Sequence, residues 1–141
     1  YEKNSEGVYT KRENIGTEVN VKMSKIQSKS KKNIKYFVAP RWTLEYSLFH
    51  SKCLNNIFTI VVKKIHPQTD RADDFELSFA KMLIKKGLKK TEIAYRVSRE
   101  IDLIACSKES SELSNKCLQG DDTIHYIIQA IEYASNTLHI R

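Results

Sequence analysis

The sequence predicts an α/β chain in which one strand is followed by three or four amphipathic helices. Three observations predict it. A short β-like run, Ile34-Lys35-Tyr36-Phe37-Val38, ends at Pro40. Downstream of Leu44, apolar residues recur at helical spacing in several stretches. Only four Gly and two Pro occur in 141 residues, which argues against a loop-rich or β-rich fold.

In chain order, residues 1–33 read as an irregular, lysine-rich loop. Ser, Asn, Lys and Glu dominate, and the scattered apolar residues offer too little surface to offset ordering entropy. A short strand over residues 18–22 is the one element suggested there. Residues 33–38 form the predicted strand, stopped by proline, which removes a ladder donor. Thr43 is a candidate N-cap for a helix carrying Leu44, Leu48 and Phe49 on one face. The run Ile57-Phe58-Thr59-Ile60-Val61-Val62 is rich in β-branched residues. Yet Ile57, Val61 and Ile65 also fit helical spacing, and no turn signal interrupts residues 44–64, so helix is preferred throughout. Residues 66–70 read as a loop. Asp70, Asp73 and Asp74 then open a helix with Phe75, Phe79, Met82 and Leu83 as its buried stripe, and Gly87 stands as its C′ residue. Residues 91–106 form the next helix, with Ile93, Val97, Ile101 and Ile104 on one face. A polar stretch follows, with a possible short helix over 113–118. Asp121 or Asp122 caps the last helix, whose stripe is Ile124, Ile127, Ile128 and Ile131. Tyr126 and Tyr133 beside that stripe read as helix-packing residues. A single strand makes no sheet, so partner strands are expected upstream of residue 1, within 1–33 or on another chain. Tyr1 in place of a Met points the same way, to a fragment or processed product.

The net charge of +7 is uneven: residues 1–35 hold nine Lys/Arg against four Asp/Glu, or +5 of it. Lys22, Lys25, Lys29, Lys31, Lys32 and Lys35 form a run with no acid, suited to phosphate backbones or to solvation of a loop. No apolar run is long enough to cross a bilayer and residues 1–30 are polar, so no membrane partner and a cytoplasmic location are expected. Three widely spaced cysteines (Cys53, Cys106, Cys117) suit a reducing compartment. His50-x-x-Cys53 lacks a second pair at zinc spacing and reads as a buried thiol beside a surface imidazole. No Gly-rich phosphate loop and no Gly-x-Ser-x-Gly elbow occurs, which argues against ATP hydrolysis and serine-nucleophile chemistry in this segment.

Pro40-Arg41-Trp42-Thr43-Leu44-Glu45-Tyr46 resembles the Trp-Thr-Leu-Glu segment of OLD-family (overcoming lysogenization defect) endonucleases, which join an ABC-type ATPase to a Toprim nuclease domain. Gly87-Leu88-Lys89-Lys90-Thr91-Glu92-Ile93-Ala94 is similar to that family's Gly-Lys-Thr/Ala-Glu-Ile-Ala segment. Residues 122–134 look like its C-terminal helix. The resemblance covers about residues 34–138. It implies that residues 34–141 are the C-terminal half of a partial Toprim-like domain that cleaves DNA phosphodiester bonds with Mg²⁺ or Mn²⁺. In that reading Glu45 is a metal ligand, Thr43 a ligand or the partner of one, and Lys90 stabilises charge building on the phosphate. A Toprim site also needs an upstream Glu and an Asp-x-Asp pair, and no Asp precedes Asp70. The expected chain therefore carries half a site and is inactive alone. Its implied partners are DNA, an upstream ATPase domain on the same chain and further copies of the complete protein. The rival reading is a non-catalytic DNA-binding or regulatory remnant. Residues 90–97 are also similar to the first helix of a helix-turn-helix, although the apolar stripe runs on through Ile101 and Ile104 without a turn. Without the resemblance, Glu45 reads as a helix-surface acid, Thr43 as an N-cap and Lys90 as a linker cation.

Overall fold

The structure is a computed structural model that describes residues 1–11, 15–31, 34–106 and 115–138. The described elements are β1 (Glu2–Lys3), β2 (Tyr9–Thr10), α1 (Ile15–Gln27), α2 (Leu44–Phe49), α3 (Asn55–Ile65), α4 (Pro67–Asp70), α5 (Phe75–Ile84), α6 (Lys90–Cys106), α7 (Asn115–Gln119) and α8 (His125–Leu138). The chain is mostly helical with a small two-stranded sheet. It divides into two compact units, one comprising Tyr1–Glu13 with Asn56–Lys108 and the other Asn14–Asn55 with Glu109–Arg141.

In the first unit, β1 and β2 pair antiparallel, with Glu2 opposite Thr10 and Lys3 opposite Tyr9. Asn4 makes the turn: its Oδ1 accepts from the backbone N–H of Glu6 at 3.1 Å and of Val8 at 2.8 Å. Gly7 takes φ +84° there, a left-handed conformation that costs glycine little. Lys11 ties this end of the chain to α5 through Glu76 at 2.9 Å. The core is built from Phe58, Val61 and Val62 of α3, Phe79, Ala80 and Leu83 of α5, and Leu88, Ile93 and Val97. Phe58 and Phe79 are fully buried and meet edge to face, 5.5 Å between centroids. Burying each such ring contributes about 2–3 kcal/mol. The spacing 58, 61, 62 is one helical face, which resolves the ambiguous run in favour of helix.

Asp74 caps α5, its Oδ1 accepting from Leu77 N–H at 2.9 Å. At the other end, Gly87 N–H donates to Met82 C=O at 2.9 Å and Lys86 N–H to Leu83 C=O at 3.2 Å. This is a Schellman closure, and its left-handed residue is Lys86 (φ 54°), one position before the expected Gly87. The expected loop at 66–70 contains the single turn α4, opened by Pro67 at its first position. His66 is buried there, and its Nε2 accepts the Lys89 backbone N–H at 3.3 Å. Helix α6 runs without interruption for 17 residues, so residues 90–97 are not a separate short helix before a turn.

The second unit corrects the sequence reading in several places. Residues 15–27 form helix α1, not irregular loop, and the strand suggested at 18–22 lies inside it. Val19, Met23 and Ile26 fall on one half-buried face, with Glu18 in the first turn and Lys25 in the last, where each charge favours the helix dipole. The polar residues between them dilute that stripe in sequence. The expected strand at 33–38 does not form: the described backbone there is irregular, apart from an isolated bridge between Lys31 and Ile34. A β-like run becomes a strand only when a second strand satisfies its backbone. The sheet instead comes from residues 2–3 and 9–10.

The third correction concerns residues 50–54. The expected single helix breaks there into α2 and α3, and Asp121 holds the break. The Asp121 carboxylate accepts from Ser51 Oγ at 2.6 Å, Cys53 N–H at 3.3 Å, Thr123 N–H at 3.0 Å and Thr123 Oγ1 at 2.5 Å. Ser51 Oγ in turn accepts from Leu54 N–H at 2.9 Å. Cys53 and Cys117 are joined by a disulfide, so Cys53 offers no thiolate to a metal. This overturns the reading of free, reduced thiols at those two positions. Helix α8 starts at His125, later than its expected cap, and its outermost stripe residue, Ile131, is exposed rather than buried.

Candidate functional site

The site is built from the join between the irregular segment at 35–43 and helix α2. Thr43 is extended (φ −138°, ψ 169°), and its Oγ1 accepts from Tyr46 N–H at 3.2 Å. That bond makes Thr43 the N-cap of α2, as its position predicts. Glu45 follows in the first turn, half-buried. Thr43 and Glu45 are thus presented together, with the hydroxyl already used as a cap.

Two residues that the sequence reading did not assign to the site stand near Glu45. Ser47 is fully buried on α2, and Tyr126 comes from α8. Burial pushes the Tyr126 hydroxyl above its ordinary range; the Ser47 hydroxyl opposes this, and the nearby Glu45 carboxylate adds to it. Both hydroxyl oxygens are buried and neither makes a well-aligned hydrogen bond, so their mutual contact is weak. Tyr126 also closes a cleft of about 370 Å³ with Phe37, Ala39, Leu44, Ile127 and Ala130. No local pattern in the sequence joins Tyr126 to Glu45. Along α2 and its flanks, Trp42, Tyr46, Phe49 and His50 form a chain of ring contacts, with Tyr46 and His50 centroids 4.6 Å apart.

Helix α1 adds a basic face. Lys22, Lys25 and Lys29, at spacing i, i+3 and i+7, share one face of the helix and the turn that ends it, and all three are exposed. Lys31 is exposed in the bridge that follows. Lys35 is exposed with its Nζ 4.8 Å from the centroid of Tyr133. Lys32 lies outside the described residues. Lys90 is the exposed first residue of α6, its N–H donating to Leu88 C=O at 2.9 Å. It belongs to the first unit, whereas Thr43 and Glu45 belong to the second.

A hard divalent cation takes about six oxygen ligands. Among the described residues, no group of three or more His, Cys, Asp or Glu side chains gathers to hold one. Glu45 brings one carboxylate and Thr43 a hydroxyl engaged in capping. These residues do not by themselves fit a two-cation centre. Among the described residues, no helix is long and apolar enough to cross a membrane. Comparison with family models, with curated proteins and with solved structures gave no match to this chain.

Proposed function

We propose that this chain is the DNA-holding, downstream part of a metal-dependent endonuclease of Toprim type. The observation that carries the proposal is the lysine face of α1. Three exposed cations on one arc, followed by Lys31 and Lys35 with no acid between them, form a run of positive charge that attracts a phosphate backbone. Glu45 is the carboxylate this chain offers to a Mg²⁺ or Mn²⁺ centre, beside the Thr43 cap. The remaining ligands come from an Asp-x-Asp pair and a Glu upstream, on a chain that also bears the ATPase and assembles as an oligomer. Lys90 is the cation proposed to face the phosphate.

Duplex binding is tested by fluorescence anisotropy across salt concentration. Replacing Lys22, Lys25 and Lys29 by Gln lowers the slope of log K against log salt by about 2.7, at about 0.9 per phosphate contact. An unchanged slope removes the proposal's support. In the chain carrying the upstream carboxylates, Glu45→Gln and Lys90→Ala abolish cleavage and spare duplex affinity. If both variants leave cleavage intact, the nuclease assignment fails. Duplex binding with no cleavage in any form of the protein leaves the non-catalytic DNA-binding reading in its place.

A further inference from the structure

The first unit carries a cleft of about 380 Å³ between α3 and α6 that the Thr43–Glu45 reading does not use. Tyr95, Arg99 and Leu103 recur at i, i+4 and i+8 along α6, and Lys64 of α3 lines the same cleft with Arg96 and Glu100. Tyr95 is 62% exposed, on a helix that buries Ile93 and Val97. An aromatic ring left open beside cations is a platform for a flat ligand. The Arg99 guanidinium lies 5.9 Å from the Tyr95 ring centroid and has no ion-pair carboxylate among the described residues. Arg96 is held by Glu92 at 2.9 Å, whereas Lys64 reaches Glu100 only at 3.9 Å. Three cations against one acid line the cleft, so it favours an anion.

We infer that this cleft binds a nucleotide. The Tyr95 ring stacks on the base, and Arg99 with Lys64 takes the phosphate oxygens. Glu100 accepts from a ribose hydroxyl or a base N–H. A guanidinium fork suits phosphate geometry, and the volume lies in the range of small-molecule sites, about 300–1,000 Å³. A free nucleotide and one unit of a single strand present the same base and phosphate, and the two are separated by experiment. The residues are distinct from those of the proposed cleavage site, so each assignment stands without the other.

The test titrates the whole chain with adenosine 5′-monophosphate by calorimetry and with a short labelled oligoadenylate by anisotropy. Saturable binding is expected. Tyr95→Ala weakens it about tenfold, Tyr95→Phe retains it, and Arg99→Gln weakens it and lowers the salt slope by about 0.7 for a single strand. Far-UV circular dichroism checks that each variant keeps its helices. Equal affinity for the two probes assigns a free nucleotide, and tighter oligoadenylate binding assigns a single strand. The inference is overturned if neither probe binds saturably, or if Tyr95→Ala binds as tightly as the parent. Duplex binding through Lys22, Lys25 and Lys29 is read in a separate assay, so the two readings fail separately.

Discussion

Removing the Cys53–Cys117 disulfide tests how the second unit is held together. That unit is made of two stretches of chain, and the disulfide joins one to the other across 64 residues. In the chain-entropy account, closing a loop of that length lowers the entropy of the unfolded chain by about 14–15 cal/mol/K, or about 4 kcal/mol at 25 °C. This value applies when both units unfold together. With a urea m-value of about 1.5–2 kcal/mol/M, Cys53→Ser then lowers the unfolding midpoint by about 2–3 M. Cys117→Ser and reduction of the parent chain give the same shift. The assay is urea denaturation followed by circular dichroism, with and without a phosphine reductant. If the second unit unfolds first, the folded first unit still restrains the intervening chain, and a smaller, separate step appears. The reasoning is refuted if all three perturbations leave the midpoint in place, or if the unreduced protein alkylates at both cysteines.

Asp121, His66 and Lys86 each give a further test. Asp121→Ala strips the acceptor from Ser51, Cys53 and Thr123 and costs about 3 kcal/mol, read as a fall in the urea midpoint. Burial alone would raise the Asp121 carboxyl, but hydrogen bonds from Ser51, Thr123 and Cys53 outweigh it and hold the pKa below its ordinary value. Its stabilisation is therefore full above the unfolded carboxylate pKa, about 3.9, and is lost as pH falls through the lower folded value. Burial, with Lys89 nearby, pushes the His66 imidazole down against the opposing pull of Glu92, and its Nε2 must stay unprotonated to accept Lys89 N–H. Stability is then full above about pH 6.5 and falls as pH drops from there toward the lowered folded pKa; a urea midpoint that rises on acidification through that window contradicts this. Lys86→Gly relieves the left-handed backbone at φ 54° and raises stability by about 1 kcal/mol, measured by thermal unfolding.

What the sequence alone determined is the set of features written within one or two helical turns. The acidic start of α5, the Thr43 cap and the apolar stripe of α6 depend on groups within a few residues of one another, and spacing reveals them. Glu45 beside Thr43 is legible for the same reason. Helix α1 is hard to read in the sequence because polar residues separate the half-buried Val19, Met23 and Ile26 along its face. Tertiary structure decided the rest. Residues 33–38 have strand-like composition, but composition supplies no partner strand, so the described backbone of residues 34–38 is irregular apart from one bridge. The helix expected across 50–54 breaks because Asp121, some 70 residues away, satisfies the backbone and side chain of that turn better than continued helix would. The disulfide partner of Cys53, the Lys89 N–H on His66, and the placement of Tyr126 near Glu45 are likewise contacts between distant positions. Such contacts leave no local period in the sequence, because they arise only when folding brings separate elements together.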